Sequence, residues 1–139
     1  MTKTVRKGKC ALGTQGLGSE TVVFDCDRCQ CHQHQGNKLC DYVVVQNGQR
    51  LFLSVLELKD GWFDARDVAE QLQAGADRLE EHVSEQPVGL LIPILVHAKG
   101  IDPNEFRQLQ KQKVLHRGKK YPIRTCKPGA SLKAIITVR

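Results

Sequence analysis

The chain has 139 residues, a formal net charge of +6, 40% hydrophobic residues and 5% aromatic ones. That length reads as a single domain, 1–139, able to bury well over half of the surface its unfolded chain exposes, and the composition excludes disordered, collagen-like and repeat architectures. No run of about 18 apolar residues could span a membrane, and no apolar run of a secretory signal follows the basic start Met1 to Lys9, so the expectation is a cytoplasmic protein with no membrane contact.

Residues 99–139 hold 11 Lys/Arg against two acids, a net +9, whereas residues 1–98 hold 10 against 13, a net −3. A basic C-terminal part beside an acidic remainder suggests a surface that meets a polyanion; the alternative is an ordinary solvated face. With no secretion signal, the 6 cysteines point to metal binding or burial rather than to a disulfide framework.

Taken in order, residues 1–19 are glycine-rich and poor in core residues, which predicts an irregular arm. Thr21 to Asp25 (TVVFD) reads as a strand. Asp25 to Lys38 is a polar loop carrying Cys26, Cys29, Cys31, His32 and His34. Leu39 to Gln46 is a second strand, and Asn47-Gly48 is a strong signal for a two-residue type I′ hairpin turn. The third strand is Leu51 to Lys59 (LFLSVLELK). Asp64 is the expected N-cap of an amphipathic helix, with Ala65, Val68, Leu72, Ala76 and Leu79 recurring at helical spacing. Pro87 ends that segment. Val88 to Ala98 reads as a buried strand in which Pro93 argues for a bulge or an edge. Asp102-Pro103 opens a short helix. Val114 to Thr125 is expected as a strand with Gly118 at a turn, Pro128-Gly129 as a turn, and Leu132 to Val138 as a last strand. The order β-β-β-α-β-α-β-β predicts an α/β (α+β) fold: a mixed central sheet flanked by helices, with a βαβ crossover from the third strand to the fourth.

LFLSVLELK is apolar on both faces, as in a covered central strand, yet it ends in Glu57 and Lys59 on one face, about 6.6 Å apart along the strand. Charge in such a place is costly unless paired or metal-bound. The two-residue turn sets Asp41 opposite Ser54 and Glu57 opposite Lys38, three residues from direct pairing, so Asp41 reaches Glu57 only through a twist or bulge. Two acids and a lysine converging at a strand end suit Mg²⁺, which acidifies a water and offsets charge on a scissile phosphate, while the lysine steadies the nucleophile or the developing charge. The plainer reading is a structural Glu57–Lys59 or Asp41–Lys59 ion pair.

Cys40-Asp41-Tyr42, the hairpin, Glu57-Leu58-Lys59 and a following helix with Gln71-Leu72 resemble the PD-(D/E)XK phosphodiesterase superfamily over about residues 20–98. The resemblance implies a restriction-endonuclease-like core and a nuclease dependent on Mg²⁺ or Mn²⁺. Asp41 and Glu57 would ligate the metal together with the Leu58 carbonyl, Lys59 would be the catalytic lysine and Gln71 an auxiliary residue. The chain departs from the pattern in having no proline before Asp41 and no evident first helix with an acid.

Cys26, Cys29, Cys31 and Cys40 form a candidate structural zinc set that would pin the loop between the first two strands; simple burial of Cys26 and Cys40 is the alternative. Cys40, next to Asp41 along a strand, is expected to point away from the catalytic metal. Lys111, Lys113, Arg117, Lys119, Lys120 and Arg124 would contact phosphates. With few aromatics nearby, a stacking platform for single strands is not expected, and Trp62 reads first as a core anchor and second as a wedge near substrate.

The expectation is a metal-dependent nuclease acting on DNA, with RNA second, in defence against foreign DNA or in DNA processing. It would act as a homo-oligomer or with a partner protein, having no separate recognition domain. The alternatives are a non-catalytic nucleic-acid-binding or interaction module with a zinc-pinned loop, and a nucleotide- or protein-binding fold whose acids are structural.

Overall fold

The computed structural model describes residues 4–7, 10–13, 21–26, 40–47, 51–82 and 90–137. Strands β1 (Thr4–Lys7) and β2 (Cys10–Gly13) form an antiparallel hairpin. β3 (Thr21–Asp25), β4 (Tyr42–Asn47) and β5 (Leu51–Lys59) form an antiparallel meander. Helix α1 (Ala65–His82) then carries the chain back to β6 (Leu90–His97), which pairs parallel with β5. Helix α2 (Pro103–Lys111) and the hairpin β7 (Lys113–His116) and β8 (Lys119–Pro122) precede β9 (Arg124–Cys126), which adds parallel to β6. The last element is helix α3 (Leu132–Thr137). The molecule is thus a mixed α+β fold around a five-stranded mixed sheet ordered β3-β4-β5-β6-β9.

β5 lies in the sheet interior because both of its faces are apolar. One face gives Leu53 and Val55 to a core shared with Val68, Leu72, Ala76 and Leu79 of α1, Leu109 of α2 and Val114 of β7. The other gives Leu56 and Leu58 to a core with Leu12 of β2, Ile92, Ile94 and Val96 of β6, and Leu132 of α3. The expected crossover is present, and both crossover helices start as their sequences predict. Asp64 Oδ1 accepts from Arg66 N (2.8 Å), and Asp102 Oδ2 accepts from Asn104 N (3.0 Å) with Pro103 at the first helical position.

Several expectations fail, each for a tertiary reason. The arm at 1–19 contains the β1–β2 hairpin. Leu12 is fully buried, and β2 is tied to the 128–131 turn through Gly13 N to Ala130 O and Gly129 N to Ala11 O, both 2.9 Å. Gly129 makes that turn with φ +89°, a backbone that favours glycine. The expected last strand is instead α3. Its β-branched residues favour a strand locally, but Leu132 and Ile135, three apart, share a helix face packed on the second core. Val114 to Thr125 is not one element: Arg117 (φ 51°) and Gly118 (φ 80°) close the separate β7–β8 hairpin, and β9 alone joins the main sheet. Pro93 needs no bulge; it sits just before β9 begins to pair at Ile94, so on that side it faces no ladder.

Candidate active site

The hairpin register overturns the sequence-based alignment. Tyr42 pairs with Leu56 and Asn47 with Leu51, so three residues separate the strands, not two. Residues 48–50 lie outside the described residues. The longer connection moves the strands past one another by three positions and brings Asp41 alongside Glu57. Asp41 N donates to Leu56 O (2.9 Å), and Asp41 Oδ2 accepts from Leu58 N (2.8 Å), so Asp41 grips both neighbours of Glu57. Tyr42 also opposes Leu56, so two residues face one, as in a β-bulge. A third bond, Cys26 N to Asp41 O (2.9 Å), ties the same residue to the end of β3.

Asp41 is 4% exposed and Glu57 0%. Carboxylates so buried are tolerated only where donors or cations offset the lost hydration. For Asp41 one offset is the Leu58 amide. Glu57 Oε2 has Lys59 Nζ at 3.1 Å, and the lysine side chain keeps 24% of its surface. The pair therefore reaches from the closed first core to solvent. Hard oxygens from two adjacent strands are the donors that Mg²⁺ or Mn²⁺ takes, with water and phosphate oxygens completing the shell.

Gln71 lies on the flank of α1, between sheet-facing Val68 and Gly75. Gly75 packs on Cys40 Sγ and Val55 Cγ1. Because α1 runs back along β5, Gln71 is displaced one turn, about 6 Å, from Gly75 towards Glu57, which is itself about 6.6 Å beyond Val55. Its Oε1 is buried and has no hydrogen-bond partner among the described residues. Cys40 does not point away from this region: it is 1% exposed in the first core, beside Cys26. Its thiol donates to Tyr42 O (3.4 Å). The side-chain hydrogen bond with Cys26, burial, and the nearby Glu57 and Asp41 charges hold the Cys40 thiol well above the ordinary range.

Of the zinc set, Cys26 and Cys40 are neighbours, whereas Cys29 and Cys31 lie outside the described residues, as do His32 and His34. Among the described residues no group of three or more His, Cys, Asp and Glu side chains gathers as a metal cage.

Two features of the site were not legible in the sequence. His97 pairs with Lys59 in the parallel β5–β6 ladder and shares its face. It is 7% exposed, and its Nδ1 lies 2.8 Å from Lys99 O. A carbonyl only accepts, so Nδ1 carries the proton. An isolated histidine at the end of an apolar run gives no signal of its neighbour in the sheet. Trp62 is not a core anchor: it is 74% exposed, and Lys99 Nζ stands 5.8 Å from its ring centroid.

The basic residues lie elsewhere. Lys113 and Lys120 lie on one outward face of the β7–β8 hairpin with exposed Leu115, and Lys111 and Lys119 are also exposed. The hairpin packs on the later turns of α1: Gln73 Nε2 donates to Leu115 O and Gln73 Oε1 accepts from Leu115 N, both 2.8 Å. His116 near the hairpin tip senses Glu80, about 22 Å along the helix from Ala65. Arg124 is partly committed, its Nη1 donating to Ile135 O of α3 (2.7 Å). The chain matches no known family model, no curated protein and no solved structure.

Proposed function

We propose that the chain is a divalent-metal-dependent nuclease with a restriction-endonuclease-like core, hydrolysing phosphodiester bonds in DNA or, second, RNA. The observation that carries this reading is Asp41 bonded to both neighbours of Glu57, with Lys59 Nζ 3.1 Å from Glu57 Oε2. Asp41, Glu57 and the Leu58 carbonyl would hold Mg²⁺ or Mn²⁺. When bound, the ion offsets phosphate charge and acidifies a water. Lys59, already aligned by Glu57 and open to solvent, stabilises charge that develops on the phosphate oxygens or orients the attacking water. Gln71 steadies the same end of the site from α1. Lys111, Lys113, Arg117, Lys119 and Lys120 add salt-dependent affinity for a phosphate backbone running along the α1 flank. A homo-oligomer or partner protein supplies selectivity, in defence against foreign DNA or in DNA processing.

A second reading, a non-catalytic nucleic-acid-binding module, is favoured by the distance between the basic hairpin tip and Glu57. Calorimetric titration with Mg²⁺ and Mn²⁺ separates the two. The nuclease reading expects a site that Glu57→Gln and Asp41→Asn each abolish. Metal binding that survives both substitutions, or is absent from the wild type with and without nucleic acid, sinks it.

A further inference from the structure

We propose that Trp62 and Lys99 receive one unpaired nucleotide beside the Asp41–Glu57–Lys59 cluster, so that the substrate is a strand with an unpaired base next to the scissile phosphate. The location of that phosphate rests on the nuclease reading.

The segment between β5 and α1 is pinned at both ends. Lys59 ends the ladder, with Ala98 N donating to its carbonyl (2.9 Å), and Asp64 caps α1. Between them Phe63 turns into the first core, while its neighbour Trp62 is turned out and left 74% exposed. The largest side chain of the segment is therefore presented to solvent by a backbone that is held on either side of it. Lys99 is held as well: its carbonyl accepts from the buried His97, and its ammonium lies 5.8 Å from the Trp62 ring centroid. An indole that is mostly open to solvent, with a cation over one ring face, matches the two parts of a nucleotide, a flat base and an anionic phosphate. A purely apolar protein partner would gain nothing from the ammonium. Trp62 follows Lys59 by three residues, at most about 11 Å of chain, so a stacked base flanks a phosphate held at Glu57 and Lys59. Bases inside a duplex are already stacked and cannot use the ring, which makes the site selective for single strands, flaps or frayed ends.

Trp62 is the 1 tryptophan in the chain, so its emission reports on the site directly. The full-length protein in metal-free buffer would be titrated with oligothymidylate and with a blunt duplex of equal length. Quenching by the single strand alone is expected. By anisotropy of labelled oligonucleotide, Trp62→Ala should weaken single-strand binding about tenfold or more and leave duplex binding unchanged. Lys99→Ala should weaken it less. Equal quenching by both ligands, unaltered single-strand binding by Trp62→Ala, or an emission shift driven by protein concentration alone (a second copy covering the ring) would overturn the proposal. Adding Mg²⁺ or Mn²⁺ separates it from its parent. Equal cleavage of duplex and single strand, lost in Lys59→Met, removes the unpaired-base site but keeps the nuclease. Quenching as expected with no cleavage by either metal removes the nuclease but keeps the nucleotide site.

Discussion

Glu57 and Lys59 are an unequal pair, and their burial decides which one stability depends on. Glu57 is fully buried while Lys59 keeps 24% of its side-chain surface. Lys59→Met takes the cation away from a fully buried carboxylate and should cost about 3 kcal/mol, the low end for a broken interior pair. Glu57→Gln leaves the lysine an exit to solvent and should cost about 1 kcal/mol or less. Urea unfolding of the two variants checks the order; equal losses would mean that the pair is solvated. His116 gives a pH signature. Burial lowers its pKa below 6.5, despite the opposing pull of Glu80. Above 6.5 the imidazole is neutral in both folded and unfolded states. As pH falls below that value the unfolded chain takes up a proton that the folded state resists, so stability falls. The stability lost between pH 7.5 and 5.5 should therefore be smaller in His116→Leu, and parallel profiles would contradict the assignment. At this scale Glu57 and Lys59 were legible as charges ending an apolar strand, whereas Asp41 was named by its residue type and its place beside Glu57 came only with the observed register. His97 and Trp62 were not legible, because a ladder partner and a side chain's exposure are properties of the folded chain.

The elements were legible where hydrophobic period and capping agreed. β5 and α1 carry long hydrophobic patterns, both crossover helices carry start signals, and all three form where expected. β1, β2 and α3 have too few core residues to declare a period; Leu12 and Leu132 find their partners across nearly the whole chain. The hairpin register failed because Asn47-Gly48 announces a turn but does not fix its length. Packing of α1 on the sheet gives a direct test. A Cβ on Gly75 would press into Cys40 Sγ and meet Val55 Cγ1 at 3.2 Å. Gly75→Ala should therefore destabilise the protein by about 1–3 kcal/mol, although alanine is the better helix former by about 1 kcal/mol. Adding Cys40→Ala should recover part of that loss. Thermal unfolding of the single and double variants decides it; a stabilised Gly75→Ala would show that the helix does not seat on Cys40.

Across the whole molecule, the sheet brings Asp41, Glu57, Lys59 and His97 to one end, while the basic hairpin lies along the flank of α1. No helix among the described residues is long and apolar enough to cross a membrane. If the flank carries the backbone of a bound strand, Lys113→Ala and Lys120→Ala should each lower the slope of log affinity against log salt by about one phosphate contact, without changing cleavage at saturating substrate. Fluorescence anisotropy over a salt series measures it, and an unchanged slope would leave the hairpin with another role. The central claim is that Asp41, Glu57 and Lys59 act together on a phosphodiester. Its most direct measurement is single-turnover cleavage of an end-labelled oligonucleotide by the wild type and Lys59→Met in Mg²⁺ and in Mn²⁺, with EDTA as control. The prediction is metal-dependent cleavage by the wild type, reduced about 100-fold or more in Lys59→Met although the variant still binds the metal; equal rates in the two proteins would contradict it.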